Sequence, residues 1–365
     1  MMPLEQLVLA GLAEDASVRE LMRPFASLLD DTEVTELVIN VPGYVLTETR
    51  MGWHRHVVPE LDYERLMSFA VAMATLTSQE ISAQRPILSA LLPGDERIQI
   101  VVPPVVPSRT ISITIRRPSS SEKALETYAR EGLFDSTRWQ RPARLNEVLP
   151  KMSSLDRELV RLLDARDVVT FFRRAVEGRK NLVAVGDTGS GKTTFMKTLC
   201  QHIPATERIV TIEDVRELFM PHLDNCVHLL YSKGNLGQAR VTPADLIASS
   251  LRMKPDRVLL AELRGSEAYD FLKLLTTGHA GSITSYHAQN VAVAIERFAL
   301  MAKEHPEAAM YEDAALKRLL ALTIDVIAHL EAAPVLDEAG TQIGKTWRMT
   351  EIYFDPARKW DTAFG

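Results

Sequence analysis

The chain has 365 residues, 46% of them hydrophobic and 25% charged, a composition that fits a folded protein and excludes disordered, collagen-like and coiled-coil rod classes. Its 42 Lys and Arg against 48 Asp and Glu leave a net charge of −6, which argues against a constitutive DNA binder. Two cysteines, Cys200 and Cys226, are too few for a disulfide framework or a four-ligand zinc site, so a reducing cytoplasm is expected.

The opening MMPLEQLVLAGLAED lacks a basic segment and a small-residue cleavage site, so it is not read as a signal peptide. Nowhere does the sequence approach the roughly 18–20 apolar residues that span a bilayer. Leu4 to Asp30 carries helical spacing. TEVTELVINVPGYVLTETRMGWHRH reads as short strands around a turn at Pro42-Gly43. Asp62 should cap a helix to Thr77 that buries Leu66, Phe69, Ala70 and Met73. RIQIVVPP and TISITIRRP read as two strands around a proline-rich turn. Residues 1–118 are thus expected to form an α+β domain of local hairpins.

Residues 119–165 are polar and broken by Gly132, Pro142 and Pro150, and we read them as a long linker. From Glu122 to Lys180 there are 13 Lys/Arg against 10 Asp/Glu, a local basic excess that suits a solvated linker or contact with acidic lipid or a neighbouring subunit. From 166 to 365 strands and helices alternate: strands at Asn181–Val185, Arg208–Ile212, Arg257–Ala261 and Ser282–Tyr286, helices at Lys192–His202, Thr242–Met253 and Ser266–Thr277. That order predicts a mostly parallel sheet with helices on both faces.

The chemistry concentrates in this second half. Gly186, Asp187, Thr188, Gly189, Ser190, Gly191, Lys192 and Thr193 match GxxxxGK[ST] in full, and Thr194 follows. The match sits between the apolar strand NLVAV and a helix, the context a phosphate-binding loop requires. Glycines let backbone N–H groups wrap a phosphate, and the helix N-terminus adds a favourable dipole. Lys192 is expected on the β- and γ-phosphates and the Thr193 hydroxyl on Mg²⁺.

Arg257–Ala261 runs into Glu262, a carboxylate at a strand end, suited to hold a metal-bound water or polarise the attacking one. A second strand, RIVTI, ends in Glu213-Asp214, with Glu217 on the turn beyond. Two acidic groups near one phosphate suit hydrolysis of ATP better than a simple kinase. His279 and His287 flank the last strand, and His287 is placed to sense a γ-phosphate. A phosphotransferase acting on a small acceptor and a slowly hydrolysing, nucleotide-gated scaffold remain the alternatives.

The strings LRMKPDRVLLAELRGSEAYDFL and GHAGSITSYHA resemble the secretion ATPase superfamily, with its Walker A loop, acidic box, Walker B glutamate and His box in order. QRPILSALLPGDERIQIVVPP and TISITIRRPS resemble its type IV secretion branch. That resemblance implies a RecA-like C-terminal domain, a smaller N-terminal domain and two stacked rings of six. It implies Glu213, Glu262 and His287 at the catalytic site, with arginines of the N-terminal domain, here Arg97 and Arg116, contributing to it. The expected partners are further copies of the chain, other type IV secretion ATPases and inner-membrane channel components. A peripheral position on the cytoplasmic face of the inner membrane and no tight nucleic-acid binding are also expected. The sequence leaves the cargo open, and it leaves open whether the linker permits a domain-swapped arrangement.

Overall fold

The computed structural model describes residues 4–117, 123–231 and 241–364, with side chains from residue 15 onward. The chain divides into two compact units, and the division does not follow chain order: Pro334–Lys345 counts with the N-terminal unit.

In the N-terminal unit the first helix, α1 (Leu4–Asp30), leads into β1 (Glu36–Ile39), β2 (Tyr44–Thr49) and β3 (Gly52–Val57). Helix α2 (Tyr63–Leu76) follows, capped by the Asp62 carboxylate, which accepts from the Arg65 N–H. Then come β4 (Ile87–Leu91), β5 (Arg97–Val101) and β6 (Ser112–Arg116). The six strands form one sheet in the order β3-β2-β1-β6-β5-β4, and every pairing is antiparallel. Alternate residues of the central strands, Leu37, Ile39, Ile98, Ile100, Ile113 and Ile115, are buried with Phe25, Leu66, Phe69 and Met73 of the helices. Phe25 and Phe69 meet edge to face at 5.9 Å.

The C-terminal unit starts earlier than the 119–165 linker reading allows. The junction itself, 118–122, lies outside the described residues. Beyond it, α3 (Leu125–Arg130), the short strand β7 (Arg138–Trp139), α4 (Leu145–Val148) and α5 (Ser154–Asp164) are ordered elements. They bury Leu125, Tyr128, Leu133, Leu145, Leu159 and Leu163 in the unit's main core. The charged residues that suggest a linker occupy the outer faces of these short helices; the apolar positions between them carry the fold.

Helix α6 (Val168–Glu177) precedes β8 (Leu182–Val185), and the P-loop leads into α7 (Lys192–Cys200). After these run β9 (Ile209–Glu213), β10 (Cys226–Leu230), α8 (Pro243–Ser250), β11 (Arg257–Leu260), α9 (Glu267–Thr276) and β12 (Ile283–Tyr286). Helices α10 (Val291–Lys303) and α11 (Asp313–Thr323), the strands β13 (Val326–Leu336) and β14 (Gln342–Phe354) apart from their residues within Pro334–Lys345, and helix α12 (Pro356–Phe364) complete it.

The eight-stranded sheet has the order β10-β9-β11-β12-β8-β13-β14-β7, and β10 through β13 are parallel neighbours. Both faces are covered. Along β8, Leu182 and Ala184 join one core cluster while Val183 and Val185 join the other. The interior also holds charge: Arg257 at the start of β11 is 0% exposed and forks onto the Glu207 carboxylate at 2.5 and 3.1 Å.

Candidate active site

The site grows from the C-terminal ends of the parallel strands, where an open α/β sheet leaves a crevice. Strand β8 ends at Gly186, whose φ of +153° favours glycine. A Cβ there would stand 2.1 Å from the Leu330 carbonyl oxygen of β13, so the turn and its close approach both require glycine. The loop then enters α7 through Gly191 as N-cap. Lys192 is buried, and its ammonium donates to the carbonyls of Gly186 at 2.9 Å and Asp187 at 2.8 Å. Thr193 and Thr194 lie half-buried in the first helical turn.

Two further strand ends meet this lysine. His287 immediately follows β12, and its Nδ1 lies 3.4 Å from Lys192 Nζ. An ammonium has only protons to give, so Nδ1 accepts and the ring proton sits on Nε2. Nε2 stands 3.0 Å from Oε1 of Glu262, which lies two residues beyond the end of β11. Burial, and then the Lys192 charge, hold the His287 pKa below the ordinary histidine value, so the ring is neutral at physiological pH. The segments after β11 and β12 are tied together by Ser285, whose hydroxyl donates to the Ala261 carbonyl at 2.7 Å while its carbonyl accepts from Leu263 N–H at 2.8 Å. Lys192, His287 and Glu262 therefore form one continuous polar chain across three strand ends.

A residue with no signal in the sequence joins it. Arg264 Nε donates to Glu262 Oε2 at 2.8 Å, and its Nη2 lies 3.5 Å from Asp214. The acidic turn after β9 is thereby brought to the same cluster through Asp214.

Glu213 is placed differently. It is 0% exposed and accepts from the backbone N–H groups of Glu217 and Leu218 at 2.8 and 2.9 Å and from the Thr211 hydroxyl at 2.7 Å. His228 on β10 approaches it at 3.3 Å and Cys226 Sγ at 3.6 Å. Despite burial, these bonds hold the Glu213 pKa below the ordinary carboxylate value. His228 is pushed up to about 9 by its bonds to Cys226 and Glu213. Oε2 of Glu213 thus shapes the turn that carries Asp214 and Glu217, while Oε1 is held by Thr211 and His228.

His279 precedes β12 and meets Thr277 at 3.2 Å; it lies at the opposite strand end from His287 and is not brought to the cluster. In the N-terminal unit, Arg97 and Arg116 are direct cross-strand partners, and Arg116 pairs in register with Glu36, whose carboxylate lies 3.9 Å away. Their shared row places two guanidinium groups side by side on one face of that sheet.

A glycine-rich loop at a parallel strand end, a lysine inside it and a carboxylate at the next strand end but one define a P-loop ATPase of RecA-like fold. The profile of the family described as "Type II/IV secretion system protein" matches residues 154–338. The chain is 43% identical over 352 residues to "Type IV secretion system protein VirB11" of Brucella suis biovar 1 (strain 1330), covering 96% of this chain and 93% of that one. Against "Protein VirB11" of Agrobacterium fabrum (strain C58 / ATCC 33970) the identity is 36% over 326 residues, covering 89% and 93%. The crystal structure of the VirB11 ATPase from the Brucella suis type IV secretion system, in complex with sulphate, superposes with a TM-score of 0.52 at 42% identity over 98% of this chain and 99% of that one. The Legionella pneumophila ATPase DotB, at 15% identity and TM-score 0.59 over 94% of this chain and 82% of its own, shares the fold. The chain belongs to the type II/IV secretion system family and is a type IV secretion ATPase, which hydrolyses ATP to ADP and phosphate.

Proposed function

We propose that the chain works as a ring of six that turns ATP hydrolysis into movement of substrate through, or assembly of, a type IV secretion machine. The observation that carries this reading is the polar chain from Lys192 through His287 to Glu262. Lys192 and the loop amides take the β- and γ-phosphates. Glu262 orients and polarises the attacking water, with Arg264 steadying its carboxylate. His287 senses the γ-phosphate, because a ligand on Lys192 changes the charge facing its Nδ1. Glu213 acts through the turn it caps, and touches no phosphate itself.

The donors at hand also suit Mg²⁺. Thr193 offers a hydroxyl, a hard oxygen ligand, and Glu262 a carboxylate that would hold the ion through a water, leaving most positions to water and phosphate. When bound, the ion neutralises charge on the phosphates.

Arg97 and Arg116 supply further positive charge to the nucleotide, since a guanidinium binds phosphate oxygens in bidentate fashion. Among the described residues no helix is long and apolar enough to cross a membrane. We place the ring on the cytoplasmic face of the inner membrane, against channel components and the other ATPases of the machine.

Light scattering with and without a slowly hydrolysed ATP analogue tests the ring. The expected species has six times the 40.8 kDa of the chain. A 40.8 kDa species under both conditions, releasing phosphate at full rate, contradicts it.

A further inference from the structure

Lys192 ties down the start of the phosphate loop, but the crest around Gly189 has little of its own to hold it. Gly186, Gly189 and Gly191 all adopt positive φ, and a Cβ added at Gly189 would meet nothing within 4 Å. Such a segment is free to take many backbone conformations, and each must be given up when phosphate binds. One side chain from a distant part of the sequence reaches its crest. Trp347 of β14 donates its indole N–H to the Gly189 carbonyl at 3.1 Å. The edge of the same ring stands 3.4 Å from the position of a Cβ on Gly191.

This contact fixes a peptide plane. In a trans peptide the carbonyl and the following N–H point in opposite directions. With the Gly189 carbonyl turned to Trp347, the Ser190 N–H faces the other way, where it donates to the Asp187 carbonyl at 3.2 Å. The strand behind the tryptophan is itself braced. Arg348 forks onto Glu331 of β13 with both bonds at 3.2 Å. Met349 donates to the Leu133 carbonyl at 2.7 Å and accepts from the Thr137 hydroxyl at 2.9 Å.

We propose that Trp347 is a positioning residue for nucleotide binding: its N–H and ring hold Gly189–Gly191 in the phosphate-binding conformation before ATP arrives. The proposal rests on Gly186–Thr193 being the ATP site. A preorganised loop spends less of its binding free energy on ordering, so the effect falls on affinity and leaves the chemical step nearly alone. Trp347 is also an intrinsic reporter, because a bound nucleotide places phosphate charge beside the loop that its ring touches.

The test compares wild type, Trp347→Phe and Trp347→Ala by steady-state phosphate release, by tryptophan fluorescence on adding ADP, and by thermal melting. Trp347→Phe, which removes the N–H together with the five-membered ring, should raise KM for ATP about three- to tenfold, the range of one lost hydrogen bond, and change kcat less than about twofold. Trp347→Ala should raise KM further, and both variants should lose most of the ADP-dependent fluorescence change. Lower melting temperatures with unchanged KM overturn the proposal, because they leave Trp347 a merely structural contact. Unchanged KM with an unchanged fluorescence response overturns it as well. Absence of ATP turnover in wild type overturns instead the assignment of the loop on which the proposal stands.

Discussion

Strands β9 and β11 lie side by side in one sheet, and each leads into a glutamate at its C-terminal end. Glu262 after β11 stays partly open and reaches His287 and Arg264; Glu213 closing β9 is fully buried and reaches the backbone of its own turn. On the reading proposed above, two carboxylates one register step apart serve two tasks. A carboxylate works on substrate where its oxygens face other mobile charges, and it builds the fold where backbone N–H groups occupy them. What separates the two is register: Leu260 pairs with Ile212, so Glu213 stands level with Ala261 and Glu262 one residue further along. After Glu213 residues 217 and 218 present their amides, whereas after Glu262 the chain continues to Arg264 and α9.

The largest effect on stability should come from the buried member. Glu213→Ala leaves two backbone N–H groups and a protonated His228 without their acceptor, and breaking a buried pair in this way costs about 3–5 kcal/mol. Urea unfolding measures it. Glu213→Gln with wild-type stability but no ATP turnover would break the comparison, for it would put Glu213 in the reaction.

A smaller effect should appear in the pH dependence of stability. His228 has its pKa raised by its bonds to Cys226 and Glu213, from 6.5 up to about 9. A raised histidine contributes stability that is complete below its unfolded value and is lost as pH rises through the folded one. The stability difference between wild type and His228→Gln should therefore shrink between about pH 6 and about pH 10. A difference that is flat across this window would mean that the imidazolium does not lean on Glu213.

Much of this site is legible in the sequence because its parts are local. The P-loop match, the apolar strands before Glu213 and Glu262, and the short strand before His287 each announce themselves within a dozen residues. The parts that escape are those set by tertiary contact. Arg264 is one arginine in a loop until β9 and β11 bring Asp214 and Glu262 together around it. Trp347 meets the P-loop only because β13 and β14 extend the sheet beyond β8. The separate duties of Glu213 and Glu262 are invisible for the same reason, since burial and not residue type divides them. In the N-terminal unit the hairpin pairing of β5 and β6 is legible from alternation, and the side-by-side placement of Arg97 and Arg116 follows from its register. The helices α3 to α5 escape because each is short and rich in charge, so that their buried leucines form no long periodic run.

The central claim is that Glu262, and not Glu213, is the carboxylate of hydrolysis. Single-turnover phosphate release from ATP already bound to Glu262→Gln tests it most directly. The amide keeps the shape and the contact with His287 but cannot carry the negative charge that polarises water. ATP should bind with near wild-type affinity, and release should slow by about 10²–10⁴-fold, the range of a lost general base. Release at the wild-type rate from fully bound ATP would contradict the account.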